Sequence, residues 1–176
     1  MAQHPRDGDN GVIDLHGRLR SIEAACSGRL RYYDSDLHGL GHLREVALLA
    51  GRIAVEAGAD VEAAMVAGFL HDCGRMDDGG GRRHAVDSAA LARPILAACF
   101  PHLDAGRICE AIERHPDGEV TDDPLIGAIW DADRLTLVRL GYDIREDRLS
   151  TAAGRRLAQQ RRPTYAPNKR SHDGTR

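Results

Sequence analysis

Residues 60–74 of this 176-residue chain read Asp-Val-Glu-Ala-Ala-Met-Val-Ala-Gly-Phe-Leu-His-Asp-Cys-Gly. Asp60 is a residue type that commonly caps the N-terminus of a helix, and most of the residues after it favour the helical conformation. Spacings of three and four residues place Ala64 and His71 on one helical face, with Asp72 beside that face. The stretch therefore predicts a helix that carries a His-Asp pair at its C-terminal end, directed toward the core.

The remainder of the chain predicts further helices separated by Gly, Pro and Asp breaks. Apolar residues make up 42% of the chain and aromatic residues only 4%. The core must therefore consist mainly of Ala, Leu, Ile and Val, a mixture that favours helices over sheets. The predicted helices cover residues 11–27, 36–57, 61–72, 84–99, 103–115, 124–140 and 147–161, and Pro94 is expected to kink or interrupt the fourth.

We expect an all-α fold, a single-domain bundle of about six to seven helices over residues 11–162. Residues 1–10 and 163–176 are expected to be disordered because they contain few apolar residues. No apolar run approaches the roughly 20 residues needed to span a bilayer, and the N-terminus lacks an apolar signal-peptide core. We therefore expect a cytoplasmic protein without a membrane partner.

The C-terminal part of the chain is basic. Residues 145–176 contain nine Lys and Arg against three Asp and Glu, and this local balance of +6 leaves −9 for the rest of a chain whose formal net charge is −3. A basic tail can attract nucleic acid, but this one has a single aromatic residue, Tyr165, and not the interleaved series of a stacking platform. A solvated tail is the preferred interpretation, and nucleic acid is not an expected partner.

Three further predicted helices carry a metal-capable residue on an apolar stripe: His42, His115 and Asp133. A single buried histidine usually finds a hydrogen-bond partner, but an ionised aspartate facing a core is costly unless it is paired or bound to a cation. Together with His71 and Asp72, these residues bring imidazoles and carboxylates inward from four segments. One divalent cation would satisfy all of them.

The spacing of His38 and His42 also permits two imidazoles one helical turn apart. A zinc-protease helix places Glu directly after its first histidine, where this chain has Gly39. Because the general base is missing, the zinc-protease interpretation is set aside.

The order of these residues resembles the HD superfamily of metal-dependent phosphohydrolases, in which a His, an adjacent His-Asp pair and a distant Asp all lie on helices. The resemblance covers about residues 36–141. It implies metal ligation by His42, His71, Asp72 and Asp133, with His71 and Asp72 as the catalytic pair. The segments that carry it are His38-Gly-Leu-Gly-His42-Leu-Arg44-Glu-Val46, Gly68-Phe-Leu-His71-Asp72-Cys-Gly74 and Asp131-Ala-Asp133-Arg134-Leu135.

Two positions remain open within the resemblance. Asp131 competes with Asp133 as the last ligand, but the helical period turns the two about 200° apart, and Asp133 shares the apolar stripe. The two-metal members of the family imply a second ion held by His84 and His115, with Asp72 bridging. The fullest version of the family pattern has two consecutive histidines where this chain has His115 followed by proline, so these histidines could instead contact substrate phosphate or merely end helices.

The resemblance implies hydrolysis of a phosphomonoester or phosphodiester by a metal-activated water, with a nucleotide among the candidate substrates. The mixed His and carboxylate ligands suit one or two ions of Mn, Fe, Ni, Co or Zn, and Mg is a further candidate. Arg75 and Arg44 are candidates to bind substrate phosphate because guanidinium matches phosphate oxygens, although Arg44 lies on a different helical face from His42. His38 is a third candidate for substrate binding.

Other functions use related ligands. A di-iron oxygenase of HD type would need both His84 and His115 and no phosphate-binding arginine. A non-catalytic HD module could keep the fold and bind a nucleotide or partner, although the complete ligand set argues against it. A nuclease is suggested only by the basic tail, and an oligomer is compatible with the sequence.

Overall fold

The computed structural model describes residues 13–30 and 32–161. These residues form seven α-helices and no strand, which confirms the all-α prediction. The predictions of disorder for residues 1–10 and 163–176 lie outside the described residues. The helices are α1 (Leu15–Cys26), α2 (Leu40–Ala57), α3 (Val61–Leu70), α4 (Arg83–Cys99), α5 (Ala105–Arg114), α6 (Pro124–Thr136) and α7 (Ala152–Arg161), with short 3-10 turns at His115–Asp117, Leu137–Leu140 and Glu146–Arg148.

Aspartate caps set where four of the helices begin. The side chains of Asp14, Asp60, Asp104 and Asp123 accept hydrogen bonds from backbone N–H groups in the first turns of α1, α3, α5 and α6. Each cap satisfies N–H groups that have no partner within the helix. The cap at Asp14 explains why α1 begins at Leu15 and not at residue 11.

Helix α2 begins later than the sequence predicts. Ser35 is a residue type that commonly caps a helix, but its Oγ accepts hydrogen bonds from the N–H groups of Leu37 and His38 and closes a turn before the helix. Helix α2 then begins after Gly39. His42 consequently lies in the first turn of α2, at the end of the helix that faces the candidate site.

The centre of the molecule is built from α2, α3 and α6. Residues 63–70 of α3 and residues 125–132 of α6 are buried on every side. A Cβ atom on Gly68 would lie 3.1 Å from the Cα of Ala47, so the absence of a side chain lets α2 and α3 pack closely. Helices α4 and α5 pack together and join the same hydrophobic core, as do α1 and α7.

The structure also differs from the sequence-based predictions for α4, α6 and α7. Helix α4 continues through Pro94, where both Pro94 and Ala90 are exposed. The carbonyl that loses its helical donor to proline is therefore in a position to bond to water. Helix α6 ends at Thr136 and continues as a 3-10 turn, and α7 begins at Ala152 and not at residue 147.

None of the helices within the described ranges is long and apolar enough to cross a membrane. The four cysteines, Cys26, Cys73, Cys99 and Cys109, are free thiols.

Candidate metal centre

His71 and Asp72 follow the last residue of α3 in the middle of the core. The Nδ1 atom of His71 lies 2.8 Å from the carbonyl oxygen of Gly68, one turn back along the chain. Because this nitrogen donates to the carbonyl, the neutral ring presents the lone pair of Nε2 to the interior. A backbone partner of this kind is the usual way in which a metal-binding histidine is oriented.

A backbone carbonyl orients His115 in the same way at the end of α5. Its Nδ1 lies 2.7 Å from the carbonyl oxygen of Ile112, again three residues back, and the residue is buried. Burial lowers the pKa of His115 to about 4, so the ring is neutral near pH 7. Both helix-terminal histidines therefore direct Nε2 at the cluster, and His115 is in the neutral form that metal ligation requires.

Asp72 directs its two carboxylate oxygens at different histidines. Oδ2 lies 3.7 Å from the Nε2 atom of His71 and 3.9 Å from that of His42. Oδ1 lies 3.4 Å from the Nε2 atom of His84 and 3.6 Å from that of His115. The carboxylate thus stands between two imidazole pairs.

The polar atoms of this cluster are incompletely satisfied by one another. Only 1% of the Asp72 side chain is exposed, yet its Oδ1 has no hydrogen-bond partner within the described residues, and neither does Nδ1 of His42. The Nε2 atoms approach to 3.1 Å in the pair His42 and His71 and again in the pair His84 and His115. Imidazole nitrogens and carboxylate oxygens buried so close together, some of them without a hydrogen-bond partner, fit a cation at their centre.

The electrostatics of the cluster also favour a positive charge. Burial opposes a charge on His71, but the carboxylates of Asp72 and Asp133 outweigh it and raise the pKa of His71 to about 9. Burial likewise opposes charge on Asp72, yet His71 and His115 hold its pKa below the usual value. A proton on His71 therefore neutralises part of the negative charge of Asp72 and Asp133. A divalent cation would neutralise more of it.

The two aspartates of α6 point to different places. Oδ1 of Asp133 lies 3.4 Å from Nε2 of His42 and 3.6 Å from Nε2 of His71. Asp131 instead accepts hydrogen bonds from Ser150 and Thr151 at the start of α7. The structure therefore places Asp133 in the cluster and gives Asp131 a capping role.

Two groups of donor atoms each lie within 4.8 Å of one another, a spacing that could hold a metal ion. One comprises His42, His71 and Asp133, and the other His71, Asp72 and His115. His84 lies against the second group through Asp72 and His115. The structure thus brings together all six residues expected as ligands.

The three residues expected to bind substrate have different surroundings. Arg75 is buried, and its Nε donates to Oδ2 of Asp72 at 2.8 Å while its Nη1 donates to the carbonyl oxygen of Gly79. It therefore orients a candidate ligand and ties down the loop after it. Arg44 does not reach the cluster, because its Nε donates to Glu23 of α1 and it lies on another face of α2.

His38 lies at the edge of the cluster. Its ring meets the ring of His42 edge to face at 5.6 Å, and its Nδ1 lies 2.8 Å from Oδ1 of Asp78. Asp78 also accepts a hydrogen bond from Ser35 at 2.7 Å. Asp78 was not foreseen, since nothing in the sequence of the glycine-rich loop distinguishes it from its neighbour Asp77.

A cavity of about 560 Å³ opens beside the cluster, and sequence reasoning missed it. It reaches two of the candidate ligands, His115 and Asp133. The walls come from three separate segments, which only the fold brings together. These segments are residues 115–118 after α5, residues 133–137 at the end of α6, and residues 142–148 before α7.

The family model for the HD domain matches residues 39–151, which include every member of this cluster and its cavity. The chain belongs to the HD-domain family. The resemblance noted in the sequence is thereby confirmed over most of the helical domain.

Curated relatives of this HD-domain chain include ribonuclease Y of Syntrophotalea carbinolica, 34% identical over 135 residues, and that of Wolinella succinogenes, 34% identical over 139 residues. The matches cover 76% and 77% of this chain but only 24% and 25% of the two relatives. The chain therefore spans about a quarter of the length of these relatives.

A solved structure shares the fold. The crystal structure of a predicted HD superfamily hydrolase from an uncultured Thermotogales bacterium superposes with a TM-score of 0.59 and 23% identity. The match covers 84% of each chain. The seven-helix arrangement described above is thus the HD-type helical fold.

Proposed function

We propose that this chain is a metal-dependent phosphohydrolase that cleaves a phosphomonoester or phosphodiester. The observation that carries the proposal is the position of Asp72, whose two buried oxygens each face a separate pair of histidine Nε2 atoms. Paired sites of this kind, with mixed His and carboxylate donors, suit two transition-metal ions bridged by one carboxylate.

The donor set offers a place for each of two ions. His42, His71 and Asp133 would hold the first, and His84 and His115 the second, with Asp72 between them. When bound, such ions lower the pKa of a coordinated water and polarise a phosphoryl oxygen. Hydrolysis then forms a bond from water oxygen to phosphorus, breaks the bond to the ester oxygen, and leaves a proton on the departing alcohol.

The residues around the ligands prepare the site for this reaction. Arg75 fixes Asp72 through its Nε, and backbone carbonyls fix His71 and His115. Such outer partners hold ligands in orientation and typically change metal affinity about 10–100-fold when removed. His38, held by Asp78 beside His42, is placed to contact a bound phosphate ester.

The first experiment measures metal content and ester hydrolysis on the same preparation. Protein purified without chelator is analysed for Mn, Fe, Co, Ni, Zn and Mg, and assayed on phosphomonoesters and phosphodiesters with each ion added. Asp72→Ala should lose both metal and hydrolysis, whereas Asp122→Asn, at an exposed position outside the cluster, should retain both. Two irons per chain without hydrolysis would favour the oxygenase, and absence of metal together with inactivity would overturn the proposal.

The number of metal ions bound by His84→Ala tests whether the chain holds a second ion. His84→Ala should lower the metal content from two ions per chain to one, because it removes one of the two imidazoles facing Oδ1 of Asp72. His102→Ala is the control, since His102 is an exposed histidine that pairs with Glu62 away from the cluster. Equal metal content in the wild type and His84→Ala would argue for a single ion.

RNA is a second candidate substrate, against the expectation from composition. The relatives of this chain include proteins named ribonuclease Y at 33–37% identity, and RNA cleavage is hydrolysis of a phosphodiester. Single-stranded RNA should therefore be included among the diesters. Shortening of the RNA by wild type but not by Asp72→Ala would favour this substrate over a small ester.

A further inference from the structure

The loop of residues 76–82 connects the His-Asp turn to α4. All of its residues are exposed, and Met76 is 84% exposed. Three consecutive glycines lie within it, and the last of them, Gly81, has a φ of 100°, in the left-handed region that favours glycine. Because glycine loses the most backbone entropy on ordering, this loop depends on contacts with the rest of the protein to keep one conformation.

The first contact holds the loop to a candidate metal ligand. Arg75 is buried directly before the loop and donates from Nε to Oδ2 of Asp72 at 2.8 Å. Its Nη1 donates to the carbonyl oxygen of Gly79 at 2.8 Å. The guanidinium of Arg75 therefore joins the middle of the loop to the carboxylate that stands between the two imidazole pairs.

The second contact holds the loop beside another candidate ligand. Oδ1 of Asp78 accepts a hydrogen bond from the hydroxyl of Ser35 at 2.7 Å and lies 2.8 Å from Nδ1 of His38. The ring of His38 meets the ring of His42 edge to face at 5.6 Å. Asp78 therefore fixes the loop to the segment that leads into α2.

The third contact reaches the end of α5. Nε of Arg82 lies 3.2 Å from Oδ1 of Asp117, which is two residues after His115 in the same 3-10 turn. The neighbouring Arg83 pairs with Asp87 inside α4 instead. Of these two adjacent arginines, Arg82 is therefore the one that ties the loop to a segment with a candidate ligand.

A metal ion would draw together the same three segments that the loop joins. Asp72, His42 and His115 come from separate parts of the chain, and Oδ1 of Asp72 has no hydrogen-bond partner within the described residues. An ion that fixes these side chains also fixes the points to which the loop is attached. By thermodynamic linkage, contacts that hold the loop then favour metal binding by the same factor by which metal binding favours them.

We propose that residues 76–82 form a strap whose ordering is coupled to metal binding, with Asp78 and Arg82 as its anchors. The proposal rests on the metal centre of the proposed function and is independent of the ester that is cleaved. It adds a regulatory element, because the metal content sets the order of the strap and the anchors set the affinity for metal.

Hydrogen exchange measured by mass spectrometry on the full chain reports the order of the strap. Backbone amides of residues 76–82 should exchange more slowly in saturating Mn²⁺ than after treatment with chelator, because the anchors open less often. This difference should shrink in Arg82→Ala and be retained in Arg83→Ala. Equal exchange of the strap with and without bound Mn²⁺ would overturn the proposal.

Calorimetric titration with Mn²⁺ measures the reciprocal effect. An exposed ion pair changes an equilibrium constant by roughly 1.5- to 5-fold, so Arg82→Ala should weaken Mn²⁺ binding by up to this factor. Arg83→Ala removes the same charge from the next position and should not weaken binding. Loss of a positive charge by itself favours a cation, so weaker binding in Arg82→Ala alone is explained by the lost anchor.

A substitution in the strap should produce a gain in affinity. Gly80 has no positive φ, and a Cβ atom there would meet no atom within 4 Å. Alanine loses less backbone entropy than glycine when the strap becomes ordered, so Gly80→Ala should bind Mn²⁺ about twofold more tightly. Damage to the fold would weaken binding and cannot produce this result.

The outcomes separate this proposal from the catalytic one. Equal Mn²⁺ affinity in wild type, Arg82→Ala and Gly80→Ala would refute the strap and leave the phosphohydrolase standing. Equal weakening in Arg82→Ala and Arg83→Ala would also refute it, since the effect would not depend on the anchor. Slower exchange of the strap in Mn²⁺, in a protein that hydrolyses no ester, would support the strap and refute the phosphohydrolase.

Discussion

The two aspartates of α6 allow a matched pair of isosteric substitutions. In Asp131, Oδ1 accepts from the N–H of Ser150 at 2.7 Å, and Oδ2 accepts from the N–H and the hydroxyl of Thr151 at 2.7 and 2.8 Å. The amide in Asp131→Asn has one acceptor oxygen. It can keep the two hydrogen bonds from Thr151, but its NH₂ group then faces the N–H of Ser150, so two donors oppose each other.

The cost of this substitution follows from the lost hydrogen bond. A hydrogen bond to a charged group contributes about 1.5–3 kcal/mol, which for a protein of this size lowers Tm by about 3–12 °C. Burial raises the pKa of Asp131 even though three donors surround it, so the carboxylate is itself costly to bury. A neutral amide avoids part of this cost of burying a charge. We therefore expect the loss of stability to fall in the lower half of the range given above. Metal content should not change.

Asp133→Asn should have the opposite pattern. Oδ1 of Asp133 faces the Nε2 atoms of both His42 and His71, and an amide is a weaker metal ligand than a carboxylate. The affinity for Mn or Ni should fall by more than the roughly 10–100-fold that follows loss of an outer partner. Metal content after dialysis against a metal buffer and Tm by circular dichroism in chelator measure the two effects. Metal loss in Asp131→Asn with retention in Asp133→Asn would refute the ligand assignment.

Two further predictions concern stability. Gly74→Ala should lower the free energy of unfolding measured in urea by about 1–3 kcal/mol, because the new Cβ would lie 2.4 Å from the backbone nitrogen of Ser88. The control is Gly80→Ala, whose Cβ would have no atom within 4 Å and which should change stability by less than about 0.5 kcal/mol. Equal effects of the two substitutions would refute the packing argument. The second prediction concerns Asp123, where burial opposes the charged form but Arg107 and the N–H groups of α6 lower the pKa of the carboxyl. The ionised carboxylate therefore stabilises the fold above the pKa of the unfolded chain, near 4, and this stabilisation is lost as the pH falls through the lower pKa of the folded state. Asn caps a helix about as well as Asp, so Asp123→Asn should lose mainly the partly exposed ion pair with Arg107. The difference in unfolding free energy between wild type and Asp123→Asn should therefore be about 0.2–1 kcal/mol at pH 7 and should decrease below about pH 4, and a difference that grows in acid would contradict this.

The sequence predicted those parts of the fold that depend on local rules. The capping aspartate Asp60 marks where α3 begins, and spacings of three and four residues placed His42 and Asp133 on core-facing stripes. The helical period also separated Asp131 from Asp133, whose side chains do point to different parts of the structure. In each case the information lies within a few residues of the position concerned.

Features that depend on contacts between distant segments were not predictable. Ser35 had the sequence of a helix cap, yet its hydroxyl serves a turn and bonds to Asp78 of a loop 43 residues away. Arg44 was a candidate to bind substrate phosphate, but its Nε donates to Glu23 of α1. The cavity wall containing Tyr142 is brought beside His115 only by the packing of the segment between α6 and α7.

The ligand cluster does not by itself separate a phosphohydrolase from an oxygenase, because both would use the same histidines and aspartates. The surroundings of the cluster separate them. Arg134 contributes to the wall of the cavity that reaches Asp133, with its guanidinium over the ring of Trp130. The positive charge of this guanidinium would attract an anionic substrate into the cavity, whereas it offers little to neutral dioxygen. The phosphohydrolase is therefore favoured by a residue outside the ligand set, and replacing Arg134 should impair phosphate binding without reducing the number of metal ions bound.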